Sequence, residues 1–301
     1  RLAQAADDRN LLLRCYINVP ATRSNRGDDL RPLVSLTEEG LNRARRAAAD
    51  NTVAWLAGNQ AEFVAELGRL EAASAYLDEA VAASTAAPLL AHMHLHQANV
   101  YRMQGDIAAA DRVLGEAESS LADVEPQIAA ELTLARAWAR WPDDPRGAIE
   151  ALALAVSDQD LWAPQRVVVA HELARMALRL DDRRTLDEAV ESHRNARPAR
   201  GPARRQAEWR WVDGLADDTA GLTVETAAVE LESLGVTLKA ADAWADAALL
   251  AARTGRVSDA LERAVALIEA MGLHPLLGPV PETRWLEPVD AKDAATASDP
   301  R

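Results

Sequence analysis

The fold is decided by a short motif that first appears as Leu67-Gly68-Arg69-Leu70-Glu71-Ala72-Ala73. It returns as Gln104-Gly105-Asp106-Ile107-Ala108-Ala109-Ala110 and as Thr254-Gly255-Arg256-Val257-Ser258-Asp259-Ala260. In each copy a glycine separates a helical pattern from an alanine-rich helical pattern. Glycine can adopt the left-handed conformation that ends a helix, and alanine lets two helix backbones approach closely. Each copy therefore predicts a tight helical hairpin.

The predicted turns recur along the whole chain, at Gly27, Gly68, Gly105, Gly147, Asp182 and Gly255. They are about 35 to 42 residues apart, except for the last interval, which is close to two such units. Units of this size bury their apolar faces only when they stack on one another. The sequence therefore predicts an all-α array of six or seven hairpins.

The predicted helices cover most of the chain. We place them near 29–48, 51–66, 70–84, 87–103, 107–121, 126–140, 145–156, 163–179, 184–195, 203–216, 222–233, 237–253 and 257–271, with a shorter one before residue 18. Residues 1–274 are predicted to form the repeat array, with a possible break at the Pro- and Gly-containing stretch 196–203. Residues 275–301 are predicted to form an irregular or disordered tail.

Composition narrows the class of protein. Hydrophobic residues make up 49% of the chain and aromatic residues 4%, which favours helices packed through alanine and leucine. The net charge of −14 makes nonspecific binding to nucleic acid a poor expectation.

The lone cysteine, Cys15, excludes an internal disulfide framework. We find no apolar run long enough to span a membrane and no signal segment, and therefore expect a cytoplasmic chain. Because Arg1 opens within helical-looking sequence, we expect a piece of a longer polypeptide.

Two repeats carry the spacing of a known family. The small and aliphatic positions fall at Ala61, Val64, Gly68, Ala73, Leu77 and Ala80, and again at Ala98, Tyr101, Gly105, Ala110, Leu114 and Ala117. This spacing resembles the tetratricopeptide-repeat consensus, and the units around Gly27, Gly147 and Asp182 depart from it. The resemblance implies a right-handed α-solenoid of tetratricopeptide-like helical hairpins.

Other stretches narrow the resemblance further. Residues 11–18, 56–62 and 65–69 look like the repeat region of large bacterial regulators, which join an ATPase module to such an array. Many of those regulators end in a LuxR-type helix-turn-helix, and others begin with an adenylate-cyclase-like domain. This sequence contains neither a phosphate-binding loop motif nor a basic recognition-helix segment. The resemblance thus implies a sensor or scaffold portion of a transcriptional or signalling regulator, without catalytic activity or a cofactor.

The resemblance also predicts where a partner binds. The first helix of each tetratricopeptide hairpin lines the concave face, which implies a partner-binding groove formed by His92, Asn99, Arg102, Trp55, Glu62 and Glu66. Arginine can pair with a carboxylate, and asparagine can bond to a peptide backbone. We expect a peptide, protein or small-molecule effector there. A homo-oligomer, in the form of a self-associating structural scaffold, is an alternative.

Histidines and aspartates are also candidate metal ligands, but the sequence supports a metal site less strongly than it supports a partner-binding groove. His92 and His96 share a helix face and could bind a metal if a neighbouring helix supplied a third ligand, but we favour groove histidines and predict no metal site. Asp181, Asp182 and Asp187 resemble the magnesium-binding aspartates of helical terpene synthases. A helical metal-dependent enzyme is therefore a second alternative, although aspartates at helix ends more simply predict caps.

Overall fold

The computed structural model describes residues 8–120, 126–158, 160–217 and 221–274, which form fourteen helices and no strand. Residues 1–7 and the predicted tail, 275–301, lie outside this described part. The helices are α1 (Arg9–Arg26), α2 (Leu30–Arg46), α3 (Asp50–Glu66), α4 (Leu70–Ala83), α5 (Ala87–Met103), α6 (Ile107–Ser120), α7 (Pro126–Arg140), α8 (Pro145–Ser157), α9 (Ala163–Arg179), α10 (Arg183–Ala196), α11 (Ala203–Leu215), α12 (Leu222–Ser233), α13 (Thr237–Arg253) and α14 (Ala260–Met271).

The prediction of an all-α fold is confirmed. Consecutive helices pair from α1 with α2 to α13 with α14, giving seven hairpins in the described part of the chain. The odd-numbered helix of each hairpin packs against the odd-numbered helix of the next, so the hairpins stack side by side. We call these odd-numbered helices the inner helices. The right-handed sense of the array stays a prediction.

The glycine turns explain why the hairpins are tight. Gly27, Gly68, Gly105 and Gly255 have φ between 67° and 93°, a region that side-chain-bearing residues rarely adopt. At Gly68 the chain turns with two backbone hydrogen bonds, from the Gly68 N–H to the Ala65 oxygen at 2.8 Å and from the Arg69 N–H to the Val64 oxygen at 2.9 Å. These bonds pair carbonyl groups that the helix end would otherwise leave free.

The predicted start of α8 near residue 145 is confirmed, whereas the predicted end of α1 was wrong. Gly147, near which a turn was predicted, lies in the first turn of α8, where its N–H donates to Asp144 Oδ1 at 2.9 Å. Asp144 caps that helix and Pro145 begins it, so the connection precedes the glycine. Helix α1 continues through Pro20 to Arg26, well beyond the end predicted before residue 18.

Small side chains form the contacts between helices. Ala73, Ala110 and Ala260, the alanines five places after the turn glycines, are each 0% exposed. Leu77 packs with Ala61 and Val64 in one of the core clusters, so the helices of that hairpin meet through alanine and aliphatic side chains. Close contact of this kind depends on small volume, because interiors are packed to crystal-like density.

The array curls until its last helices reach its first. Arg205 of α11 donates from Nη2 to the Asn25 carbonyl at 2.8 Å, at the C-terminal end of α1. Lys239 of α13 lies 3.2 Å from Glu66 of α3, measured from Nζ to Oε1. Met271 of α14 packs over the Gly68 turn. We call this meeting of the two ends the junction, and it borders a central cavity. None of the described helices has the length and apolar character needed to cross a bilayer.

Candidate functional site

The central cavity has a volume of about 310 Å³ and is the candidate site. Its walls come mainly from the inner helices, and they combine ionic, histidine and aromatic side chains. The polar and aromatic lining residues that carry the argument are Glu62, Glu66, His96, Asn99, Trp138, His171, Glu172, Arg175, His193, Arg204, Arg205, Glu208, Trp209, Trp211, Lys239 and Asp242.

The junction side of the cavity is ionic. Glu208 accepts from Lys239 Nζ at 2.7 Å and from Arg204 Nε at 3.3 Å, and it also pairs with Arg205. Glu66, on the opposite end of the array, lies 3.3 Å from Arg204 Nη2. Burial alone would raise the pKa of Glu208, but the three cations lower it far below its usual range. We call Glu66, Arg204, Arg205, Glu208 and Lys239 the junction cluster.

A second ionic network holds α9 against α13. Arg175 is 2% exposed, and its Nη2 and Nε lie 2.7 Å and 3.0 Å from carboxylate oxygens of Asp242 and Asp246. Asp246, fully buried, also accepts from Trp211 Nε1 at 3.0 Å and from Arg179 Nη1 at 2.7 Å. A buried charge is tolerated when it is paired and hydrogen-bonded in this way. The network therefore fixes the wall rather than presenting a free charge.

Some polar atoms facing this region lack a hydrogen-bond partner within the described residues. They include Arg204 Nη1, His171 Nε2 and His193 Nδ1. Burial lowers the pKa of His171 well below 6.5, and burial together with Arg197 lowers the pKa of His193 to about 4. Both rings are therefore neutral near pH 7. A buried polar atom without a partner is unfavourable.

A separate cluster lies between α5 and α7. His92 Nε2 is 2.8 Å from Glu131 Oε2 and 3.0 Å from His96 Nε2, while His96 Nε2 is 3.8 Å from the same carboxylate oxygen. We call these three residues the histidine–glutamate cluster. Burial and the neighbouring His92 lower the pKa of His96 to about 4. Burial would raise the pKa of Glu131, but the bond from His92 and the charges of both imidazoles lower it.

The structure brings together part of the predicted groove. Glu62, Glu66 and Asn99 all line the central cavity. His92 lies in the histidine–glutamate cluster, and the edge of the Trp55 ring meets it with the ring centroids 5.5 Å apart. These five residues are all on α3 and α5.

Arg102 lies elsewhere. It is 4% exposed, and its Nη2 donates to Asp111 Oδ1 on α6 at 2.6 Å. It therefore joins the two helices of its own hairpin and is not among the residues that line the cavity.

Glu62 has an unusual environment for a carboxyl group. Its side chain is accessible to solvent, but the accessible face looks into the cavity, where protein surrounds it. Desolvation, followed by the charges of Glu66 and Glu131, raises its pKa to about 7. Glu62 therefore changes charge near neutral pH.

Sequence reasoning missed the cavity residues of the later inner helices. Glu172 and Arg175 on α9, Arg204 and Glu208 on α11, and Lys239 on α13 were not singled out. A usable signal was present, because oppositely charged residues three or four positions apart interrupt the apolar pattern of these helices. The tetratricopeptide rule for inner helices had been applied only to the two clearest repeats.

The predicted aspartate alternative is arranged differently from a shared metal site. Asp182 caps α10 by accepting from the Thr185 N–H at 3.1 Å, and Asp187 pairs with Arg183. Asp181 lies 3.0 Å from Arg253 Nη1. Among the residues described here, the three carboxylates do not converge as a group of potential metal ligands. Asp8, Asp29 and Asp144 each cap a helix as well, as expected for aspartates at helix ends.

Comparisons with known proteins do not identify a family, so the site is interpreted from the fold and the geometry. The chain matches no model of a protein family and no curated protein. What the structure defines is a class: an all-α array of stacked hairpins whose inner helices line a cavity with both apolar and ionic side chains.

Proposed function

We propose that the chain is the effector-binding sensor portion of a bacterial transcriptional or signalling regulator, and that the effector is a small molecule held in the central cavity. The observation that carries the proposal is the concave central cavity, where α11 and α13 meet α1 and α3. Small molecules bind in concave clefts or cavities that combine apolar surface with a few polar groups.

The cavity volume agrees with this choice of ligand. At about 310 Å³ it lies at the lower end of the range of about 300 to 1,000 Å³ typical of small-molecule sites. A compact effector with few rotatable bonds fits such a space. We therefore favour a small molecule among the three predicted partner classes of peptide, protein and small-molecule effector.

The lining indicates the chemistry of the effector. Trp138, Val167 and Val168 supply apolar surface on α7 and α9. Across the cavity, the Asn99 amide offers a hydrogen-bond donor that makes no hydrogen bond to the described protein. We infer an effector with an apolar body and at least one hydrogen-bond acceptor, oriented with the acceptor towards Asn99.

The junction gives the effector a route to change the array. Arg204 and Lys239 touch the cavity and also hold the two ends together through Glu66. An effector beside Arg204 and Lys239 is therefore placed to bind a closed and an open junction with different affinities. A difference in affinity of this kind is what allows a ligand to shift a conformational equilibrium.

The test blocks the cavity with a large side chain and asks whether ligands still raise the Tm of the chain. The purified chain is screened by thermal unfolding against small organic acids, amino acids and nucleosides at millimolar concentration, since a ligand that binds only the folded state raises Tm. Val168→Trp places a large ring in the cavity and should abolish any shift. Val229→Trp is the matched control, because Val229 on α12 is similarly exposed, at 53% against 44%, but lies away from the cavity.

Two results would contradict the proposal. One is a stabilising compound that shifts the Tm of the Val168→Trp chain as much as that of the Val229→Trp chain. The other is that no compound raises the Tm of the unaltered chain or of either variant, while a native mass spectrum shows no small molecule bound to the purified chain.

A further inference from the structure

Three potential metal ligands converge in the histidine–glutamate cluster. His92 and His96 are four residues apart on α5, and Glu131 is on α7, the next inner helix. Two imidazole nitrogens and one carboxylate oxygen all lie within 4.8 Å of one another. We propose that His92, His96 and Glu131 bind one Zn²⁺ ion beside the central cavity.

Proton counting shows why a cation suits this arrangement. The two Nε2 atoms and Glu131 Oε2 lie within 3.8 Å of one another, and each atom can offer a lone pair to a cation when it carries no proton. Protons on both Nε2 atoms would point two donors at each other across 3.0 Å, so the His92–His96 contact accommodates one proton. A divalent cation can bind all three atoms at once, whereas a single proton is shared well by only two of them.

The spacing of the ligand atoms fits zinc. Metal–ligand bonds of about 2.0 to 2.1 Å in a tetrahedron place neighbouring ligand atoms about 3.3 Å apart. The observed separations of 2.8, 3.0 and 3.8 Å lie on both sides of that value. Rotation of the imidazole and carboxylate groups by small angles is enough to equalise them, so no backbone movement is needed.

The fold holds the two ligand-bearing helices in register. Ala91, Leu95 and Ala98 of α5 pack with Ile128, Leu132 and Ala135 of α7 in one core cluster. Leu95 and Leu132 adjoin His96 and Glu131 in sequence, so the apolar contact fixes the height of the ligands on both helices. The Trp55 ring packs edge-on against His92. Ligands supported on rigid helices in this way are suited to binding a metal.

The ligand set selects the kind of ion. Two imidazoles and one carboxylate suit zinc and other first-row divalent ions, whereas Mg²⁺ prefers oxygen ligands. Three protein ligands also leave the fourth position of a tetrahedral ion open. His96 also lines the central cavity. This inference does not rest on the proposed effector, because the histidine–glutamate cluster supplies all three protein ligands by itself.

The experiment titrates metal-free chain with Zn²⁺ alone, against a chelating dye, with no effector present. We expect one Zn²⁺ per chain, and no competition from millimolar Mg²⁺. Replacing Zn²⁺ by Co²⁺ should give the visible absorption of a four-coordinate ion. Glu131→Gln and His96→Gln should each weaken binding about 100-fold or more, because even outer partners of metal ligands contribute about 10- to 100-fold.

His94→Gln is the matched control. His94 lies on the same helix but contacts Glu116, at 3.8 Å from Nε2 to Oε2, so this variant should bind Zn²⁺ as the unaltered chain does. Circular dichroism of each metal-free variant shows whether it is folded. Less than half an equivalent of bound Zn²⁺, or equal affinity in Glu131→Gln, His94→Gln and the unaltered chain, would overturn the proposal. Failure here leaves the effector test untouched, and the reverse also holds.

Discussion

Helices α3–α6 and helices α9–α13 both form stacked hairpins, but the side chains that they bury differ in chemistry. In α3–α6 the consensus positions are small, and alanines such as Ala73 and Ala110 are fully buried. In α9–α13 the buried set includes Arg175, Glu208 and Asp246. The unit around Asp182, which departs from the tetratricopeptide spacing, thus supplies part of the ionic wall of the cavity, together with α11 and α13.

This difference teaches that a degenerate repeat can be a specialised one. A small-residue contact is generic, because it needs only low volume and can recur in every hairpin. An ionic contact needs a specific partner on another helix, and it is destabilising without that partner. The two regions should therefore respond to substitution in different ways.

The largest effect is expected in the α9–α13 network. Asp246→Ala removes the acceptor for Arg175, Arg179 and Trp211 and leaves buried cations underpaired. We expect the free energy of unfolding to fall by about 3 to 5 kcal/mol in urea denaturation. Asp111→Ala is the comparison in the clear repeats. Its side chain is 58% exposed, so water can replace it at Arg102 and the loss should stay below about 1 kcal/mol. Equal losses would erase the contrast between the regions.

The next effect depends on pH. His193 is buried and has a pKa of about 4, compared with 6.5 in the unfolded chain. Between pH 4 and pH 6.5 the unfolded chain therefore binds a proton at this residue that the folded chain does not bind. The stability that His193 confers is present above pH 6.5 and is lost as the pH falls towards 4, by up to about 1.4 kcal/mol per pH unit. We expect His193→Gln to flatten the stability profile from pH 6.5 to 4, as followed by chemical denaturation. Parallel profiles for the two chains would contradict this.

A smaller effect is expected at the small-residue contacts of α3–α6. Ala73→Leu inserts three carbon atoms at a fully buried position, and overpacking of this kind costs about 1 to 3 kcal/mol. Ala75→Leu on the same helix is exposed and should change stability by less than about 0.5 kcal/mol. Thermal or urea unfolding measures both. If the two variants were equally stable, the close contact would not be what supports this hairpin.

The smallest effects should have opposite signs at two glycines of one hairpin. Gly105 has φ of +81°, and Gly105→Ala should cost about 1 to 2 kcal/mol. Gly115 is within α6, and an added Cβ there meets nothing within 4 Å. Gly115→Ala should therefore stabilise the chain by about 0.5 to 1 kcal/mol, measured by the shift in Tm. Losses of similar size at both positions would argue against the turn assigned to Gly105.

The sequence was enough to predict the hairpins because their determinants are local. The glycine turn and the alanine five residues later lie in one short stretch, as at Gly68 and Ala73. Local signals also compete, and this explains the errors. The Asp144–Pro145 cap outweighs Gly147 as a boundary signal, and α1 continues past Pro20 because the last turn of the helix packs against α11, where Ser24 is buried.

The site was only partly predictable because it depends on contacts between distant residues. Glu62, Glu66 and Asn99 follow from the rule that inner helices line the concave face. The pairing of Glu66 with Lys239 does not, since it requires the array to curl until α13 reaches α3. Glu131 was missed for the same reason. Nothing near it in sequence indicates that it lies beside His92.

The central claim is that the array closes on itself, and a disulfide across the junction tests it most directly. A Cβ added at Gly68 would lie 3.3 Å from the Cβ of Thr237, close to the spacing of about 3.5 to 4.5 Å in disulfides. In a Cys15→Ser background, Gly68→Cys with Thr237→Cys should cross-link within the monomer on mild oxidation, as read by mass spectrometry of linked peptides. Gly255→Cys with Thr237→Cys should not, because an added Cβ at Gly255 meets nothing within 4 Å. A folded double variant at 68 and 237 that cross-links no more than the 255 and 237 control would contradict closure.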